Sequence, residues 1–208
     1  MLARRINVDA TALLAELARD IPFIFFSSDL VFDGKKGRYV ETDPVSPVNV
    51  YGETKVAAER MVLANPKHSV IRTSLNAGRS PTGDRSFVEE MRRAMEAGLP
   101  LTLFTDEYRC PIPANATARA LWELVRANRP GLYHLVGAER LSRWEIGQLL
   151  LTRWPDLKTD IRPGSLKDYR GGPRAADVSL DCGKIQALLS FPLPSFREWA
   201  LDRQNEEV

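Results

Sequence analysis

Tyr51 and Lys55 stand four residues apart in the segment Asn49-Val50-Tyr51-Gly52-Glu53-Thr54-Lys55. In a helix this spacing places phenol and ammonium one turn apart on the same face. A phenol alone, with a pKa of about 10, is a poor acid-base group at neutral pH. A neighbouring ammonium favours the phenolate and draws that value down, so the pair is expected to exchange a proton with a carbonyl oxygen. The spacing alone is weak evidence, and a solvated helix face is the alternative. Ser27, Ser28 and Asp29 close the apolar run Phe23-Ile24-Phe25-Phe26. At the carboxyl end of a strand in an open α/β sheet, this is where ligands sit. Ser28 would there hydrogen-bond a substrate carbonyl and help Tyr51 polarise it. Otherwise Ser28 and Asp29 are turn or capping residues.

The elements that must position these groups follow from pattern. Residues 6–19 carry Ile6, Leu13, Leu14 and Leu17 at helical spacing, an amphipathic opening helix. The run 23–26 has no alternation and suits a strand buried on both faces of a parallel sheet. Residues 29–48 read as a long loop with a small hairpin at 34–37. A helix over about 50–64 carries the Tyr–Lys pair and stops before Asn65-Pro66. A strand at 68–72 and a second long loop, 76–86, lead into a helix over 87–97, closed by Gly98 and Pro100. A short strand at 101–104, a loop with Pro111 and Pro113, a helix at 114–127 and a strand at 131–136 follow. Ser142 with Glu145, and Ser195 with Glu198, fit capping boxes. Strands alternating with helices predict an α/β fold with a mostly parallel sheet.

Composition narrows the function classes. The 208 residues are 44% hydrophobic and 27% charged with a net charge of +2, a globular balance without the footprint of a nucleic-acid or anionic-membrane binder. No apolar run approaches the roughly 20 residues of a membrane span. The opening segment lacks the apolar core and small-residue cleavage site of a signal peptide. Cys110 and Cys182 have no CxxC spacing, so neither a disulfide framework nor a zinc site is expected, and a cytoplasmic setting is the default. His68 and His134 have no second ligand at metal spacing, so no metal is expected. Lys158, Lys167 and Lys184 form no basic stripe, and nucleic-acid binding is not expected.

Taken in order, SSDLVFDG, ETDPVSPVNVYGETKVAAER, VIRTSL, FTDEYRCPI, GLYHLVGAERLSRWEIG and RAADVSLDCGKI resemble the extended short-chain dehydrogenases of the dTDP-4-dehydrorhamnose reductase (RmlD-like) family. The resemblance covers nearly the whole chain. It implies an α/β fold with a Rossmann-like parallel sheet, N-terminally incomplete, and a small α/β substrate-binding region. Residues 1–75 would be the remaining C-terminal half of the NAD(P)-binding domain. Residues 76–208 would be mainly substrate-binding, interleaved with later Rossmann elements over about 86–136. NADP or NAD is the implied cofactor, and a nucleotide-linked 4-keto sugar or another small carbonyl compound the implied substrate. Ser28 would bind the carbonyl, Tyr51 would donate the proton, and Lys55 would hold the nicotinamide ribose and lower the tyrosine pKa. Ser27, Tyr51, Lys55 and Arg72 match cofactor positions. Asp29, Val31, Phe32, Asn76, Arg109 and Arg174 match substrate positions. Carbonyl reduction is the leading expectation. A non-catalytic binding or regulatory subunit, and a nucleotide-sugar epimerase or dehydratase, are the alternatives.

The sequence departs from that pattern in two respects. The family opens with a strand, a GxxGxxG turn and a helix that cradle the cofactor pyrophosphate, and no such motif occurs here. Gly34-Lys35-Lys36-Gly37 has no third glycine. A strand as apolar as FIFFSS with a neighbour on one side only is an aggregation hazard. The expectation is therefore a truncated or mis-started form of a longer protein, or a partner chain or second copy covering the edge. The family also usually carries an aromatic at the position of Leu30 and a tryptophan at that of Leu75, so a different or less polar substrate is implied. Arg109 could grip a phosphate or carboxylate bidentately, or form an intramolecular ion pair.

Overall fold

The computed structural model describes residues 4–157 and 159–202, so Lys158 lies outside the described residues. A π-helical turn at Arg5–Asp9 runs into helix α1 (Ala10–Leu17), followed by strand β1 (Ile24–Ser28) and helix α2 (Val50–Leu63). Next come β2 (Ser69–Thr73), β3 (Asn76–Ala77), α3 (Phe87–Glu96), β4 (Leu101–Phe104), β5 (Tyr108–Arg109) and β6 (Ile112–Pro113). Then follow α4 (Ala114–Ala127), β7 (Gly131–Leu135), β8 (Leu141–Ser142), α5 (Arg143–Arg153), β9 (Ile161–Gly164), α6 (Gly183–Gln186) and α7 (Phe196–Leu201). The chain divides into two compact units. One runs up to Thr73 and adds Leu121–Leu135 and Gly172–Phe191; the other holds Ser74–Ala120, Val136–Gly171 and the chain from Pro192.

The first unit is built on a parallel sheet of order β1-β2-β7. Its register aligns Phe25 with Val70 and Leu132, and Ser27 with Arg72 and His134. Alternation puts both rows on one face. On that face Phe25 and Val70 pack with Ala58 and Val62 of α2 and Ala15 of α1. The apolar stripe of the opening helix is not what packs. Val8, Thr11 and Ala15 are buried, whereas Leu13, Leu14 and Leu17 are exposed, Leu17 by 74%. Small residues let α1 lie close on α2, and its leucines fall outside that contact. Among the described residues β1 pairs with β2 alone, and Phe26, expected inside, is 40% exposed.

The loop after β1 is not a hairpin. A 3-10 turn at Asp29–Val31 leads to a bend in which the Tyr39 hydroxyl accepts from the Lys35 and Lys36 amides, each at 3.1 Å, and donates to Asp33. Gly34 and Gly37 have φ of +77° and +69°, so L side chains would strain this bend. Tyr39 then forms a parallel bridge to Leu180.

Arg72 and Glu59 meet in the buried layer between sheet and α2. Arg72 Nε and Nη2 donate to the two Glu59 oxygens at 2.9 and 2.7 Å. His134 continues the network from β7: its Nδ1 donates to the Tyr39 carbonyl at 3.1 Å, leaving Nε2 to accept from Arg72 Nη1 at 3.4 Å. Its backbone amide donates to Glu41 at 2.9 Å. Burial, above all, holds the His134 imidazole down at about 4, with Glu41 opposing and Arg72 assisting.

In the second unit β3 pairs with β6 and β4 with β9 in parallel, and β5 with β8 antiparallel. Its core gathers Val88, Met95, Ile146, Leu150, Phe196 and Trp199. Three capping boxes start its helices: Ser142 with Glu145 and Ser195 with Glu198, as the sequence suggests, and Ser86 with Glu89 besides. Among the described residues no helix is long and apolar enough to cross a membrane, and no group of three metal-ligating side chains is present.

The His134 shift fixes a pH dependence. Unfolded, the ring titrates near 6.5; folded, at about 4. Between these values the unfolded chain binds the extra proton, so the contribution is complete above about pH 6.5 and is lost as pH falls through about 4. Urea unfolding at pH 7 and pH 4 is expected to show the parent losing about 3 kcal/mol more than His134→Asn. Equal losses in the two proteins would remove His134 as the source.

Candidate active site

The carboxyl end of β1 delivers Ser28, and the 3-10 turn begins at the next residue. Ser28 caps that turn: its Oγ accepts from the Leu30 amide at 3.1 Å and donates to Asp29 Oδ1 at 3.0 Å. Ser28 thus caps a turn and stands at the strand end. Helix α2 starts where Asn49 accepts from the Gly52 amide at 2.9 Å, and Tyr51 lies in its first turn. The Ser28 side chain is near enough to the Tyr51 phenol to influence its ionisation. Lys55, one turn on, donates to the Phe26 carbonyl of β1 at 2.9 Å, with Nζ 4.6 Å from the Phe25 ring centre and 5.7 Å from that of Tyr51.

The electrostatics differ from the expectation. Tyr51 is pushed above its ordinary value, not below it. Burial is the largest cause; Ser28 opposes it and the Asp29 charge adds to it. The residue as a whole is 43% exposed, so burial raises its value without shutting the side chain off from solvent. Burial pushes Lys55 below its ordinary value, with Glu59 opposing. The ammonium is held at a strand carbonyl, and it is not the influence that sets the phenol. Tyr51 therefore stays protonated at neutral pH, the form from which a proton is given.

Gly52 makes this geometry possible. A Cβ there would come within 2.3 Å of the Leu30 carbonyl oxygen and 2.7 Å of Pro47 Cβ. Helix α2 can approach the Ser28–Leu30 turn this closely only because position 52 has no side chain.

The remaining expected site residues are placed as follows. Ser27 is buried at the end of β1, and its Oγ makes no hydrogen bond among the described residues. Arg72 is committed to Glu59 and His134, so its guanidinium serves the fold instead of presenting itself to a cofactor. Val31 and Phe32 are fully buried, and Phe32 stacks on Tyr39 at 4.1 Å with the Arg72 guanidinium 5.1 Å from its ring centre. Their side chains are core, which corrects their assignment to substrate contact. Asn76, in the second unit, accepts from Thr117 at 2.7 Å and donates to the Ser74 carbonyl. Arg109, also there, is buried against Glu107 at 2.9 Å and donates to the Tyr108 carbonyl, so the intramolecular ion pair is the reading the structure favours. Arg143 also reaches Glu107, at 3.3 Å. Arg174 lies exposed in the first unit. Sequence reasoning passed over Glu59 and Gly52. The carboxylate one turn beyond Lys55 was the available signal for Glu59.

A parallel α/β sheet with a tyrosine–lysine helix beside the serine-bearing strand end defines the short-chain dehydrogenase/reductase class. Within it, the chain belongs to the RmlD family, matching the RmlD substrate binding domain over residues 1–206. A dTDP-4-dehydrorhamnose reductase of Sinorhizobium fredii is 29% identical over 224 residues, 98% of this chain and 75% of that protein. Methionine adenosyltransferase 2 subunit beta of Danio rerio is 26% identical over 194 residues, 89% of this chain and 60% of that protein. Among solved structures, dTDP-4-dehydrorhamnose reductase from Bacillus anthracis in complex with NADP superposes with a TM-score of 0.84 at 21% identity, covering 93% of this chain and 69% of that one.

Two substitutions test the construction. Glu59→Ala strands a buried guanidinium and is expected to cost about 3–5 kcal/mol in chemical unfolding. Gly52→Ala must push the helix from the Leu30 carbonyl and is expected to cost about 1–3 kcal/mol. A neutral Gly52→Ala would show that the close approach is not needed.

Proposed function

We propose that the chain carries the proton-transfer half of an NAD(P)H-dependent carbonyl reduction on a nucleotide-linked 4-keto sugar, the dTDP-4-dehydrorhamnose type. The observation that carries the reading is the convergence of Ser28, Tyr51 and Lys55 at the carboxyl end of β1, with Tyr51 kept protonated. The reductase relatives support the substrate class. The residues present fit the nicotinamide-ribose end of the cofactor. Tyr51 and Lys55 offer a hydroxyl and an ammonium one turn apart, and the buried Ser27 hydroxyl of β1 makes no hydrogen bond among the described residues. No glycine-rich turn in this sequence is assigned to the pyrophosphate.

The bound nicotinamide would supply a hydride to the carbonyl carbon. Tyr51 gives its phenol hydrogen to the carbonyl oxygen, closing the alcohol and leaving a phenolate. Lys55, charged and one turn away, stabilises that phenolate once it turns from the Phe26 carbonyl. Ser28 hydrogen-bonds the substrate carbonyl and helps Tyr51 polarise it.

A second reading rests on the beta-subunit relatives, which carry the name of a different enzyme. In it the fold is kept as a binding or regulatory subunit. The two readings part on turnover.

Fluorescence and thermal-shift titrations with NADPH and NADH are the first test, with saturable binding expected. Tyr51→Phe is then expected to retain binding and to cut reduction of a dTDP-4-keto sugar by about 10²–10⁴-fold. No cofactor response from a well-folded sample would sink the reductase reading for this chain. Turnover retained by Tyr51→Phe would refute the proton-donor role, and binding without turnover would favour the subunit reading.

A further inference from the structure

The register of the first sheet determines which backbone groups of β1 are left over. The Ser69 amide donates to the Phe23 carbonyl at 2.8 Å, and Ile24 lies opposite Ser69. In a parallel ladder the amide and carbonyl of one residue point to the same side, and that side alternates along the strand. Phe23, Phe25 and Ser27 therefore turn their backbone groups to β2. Ile24, Phe26 and Ser28 turn theirs the other way, to the edge where no strand pairs among the described residues. On that edge the Phe26 carbonyl is taken. Lys55 Nζ donates to it at 2.9 Å, the distance at which a ladder amide would sit. The Phe25 ring, its centre 4.6 Å from the same ammonium, gives the lysine a second hold on the strand.

An open edge invites a further strand, and folded proteins blunt it with a charge, a proline, a bulge or a covering element. The strand Ile24–Ser28 has neither charge nor proline, its pairing with β2 runs without a bulge, and Phe26 is 40% exposed. We infer that Lys55 guards this edge: its ammonium occupies the acceptor in the middle of β1 and bars a second copy of the chain from pairing there. An incoming strand needs the Phe26 carbonyl for its own amide. To reach it, the strand must strip the ammonium of its hydrogen bond and leave the charge against two phenylalanines. The neighbouring charges are engaged elsewhere. Asp29 accepts from Ser28, Glu59 and Arg72 hold each other, and Arg19 pairs with Asp20 before the strand begins. The guard requires only the ammonium at its carbonyl, and it does not depend on the reductase reading.

The test is sedimentation velocity over a range of protein concentrations, with folding checked by circular dichroism. Lys55→Met keeps an apolar stem and removes the ammonium, and is expected to associate beyond the parent as concentration rises. Lys55→Arg can still donate to the carbonyl and is expected to match the parent. Ile24→Pro removes an amide that β2 does not use and puts a ring on the open edge. Added to Lys55→Met, it is expected to abolish the extra association. Where Lys55→Met does not fold, Lys55→Gln, neutral and one atom shorter, is put through the same comparison. Neutral variants that associate no more than the parent overturn the inference. Association that survives Ile24→Pro also overturns it, because the contact would then lie elsewhere, as on the exposed leucines of α1. None of these measurements involves cofactor or turnover. Failure of NADPH to bind would end the reductase reading and leave this result standing.

Discussion

A guanidinium and a carboxylate, both shut away from water, fix where helix α2 lies on the sheet. Arg72 comes from the central strand and Glu59 from the helix, and they meet through two short hydrogen bonds. Removing two such charges from water is costly, and attraction offsets that cost only when the geometry is good and the leftover donors are filled. Here the leftover donor is filled: Arg72 Nη1 finds the neutral His134 ring, and that ring finds the Tyr39 carbonyl. The network draws on β2, α2, β7 and the loop after β1. Tyr51 and Lys55 are carried by the same helix, two turns and one turn before Glu59.

The site itself is a set of close approaches made possible by that anchoring. Gly52 allows the helix start to touch the turn after β1, and Asn49 caps it there. Lys55 reaches across to a strand carbonyl. These contacts put a phenol next to a hydroxyl already engaged as a turn cap. Burial at this position, the largest influence on the phenol, keeps it protonated, with Ser28 opposing and the Asp29 charge adding.

Local features were legible in the sequence. The Tyr51–Lys55 spacing, the strand end at Ser28, the two capping boxes and the alternation of strands with helices depend on residues a few positions apart. Features that depend on distant partners were not. Leu13, Leu14 and Leu17 have helical spacing, yet nothing nearby in sequence says that α1 packs through Ala15 instead. Phe32 sits in a motif shared with sugar-handling enzymes, but its stacking on Tyr39 is set by the bend between them. Arg72 and Arg109 looked like ligand-binding cations until their carboxylates came from elsewhere in the chain or from two residues away. The sign of the Tyr51 shift was missed for the same reason: Lys55 is one turn away in sequence, but burial, with Asp29 adding to it, is what sets the phenol.

The placement of Arg72 within β2 also protects the sheet against misalignment. Parallel strands offer few geometric checks on register, because each residue step gives an equivalent ladder of hydrogen bonds. In β2, Val70 and Arg72 face the helix layer and Ile71 faces away. Slipping this strand by a single residue would turn isoleucine toward the Glu59 carboxylate and carry the guanidinium to the opposite face. An apolar strand of uniform composition would tolerate that error at small cost. With one charge embedded in it, the strand has a reading frame, and the helix bearing Tyr51 and Lys55 is what reads it.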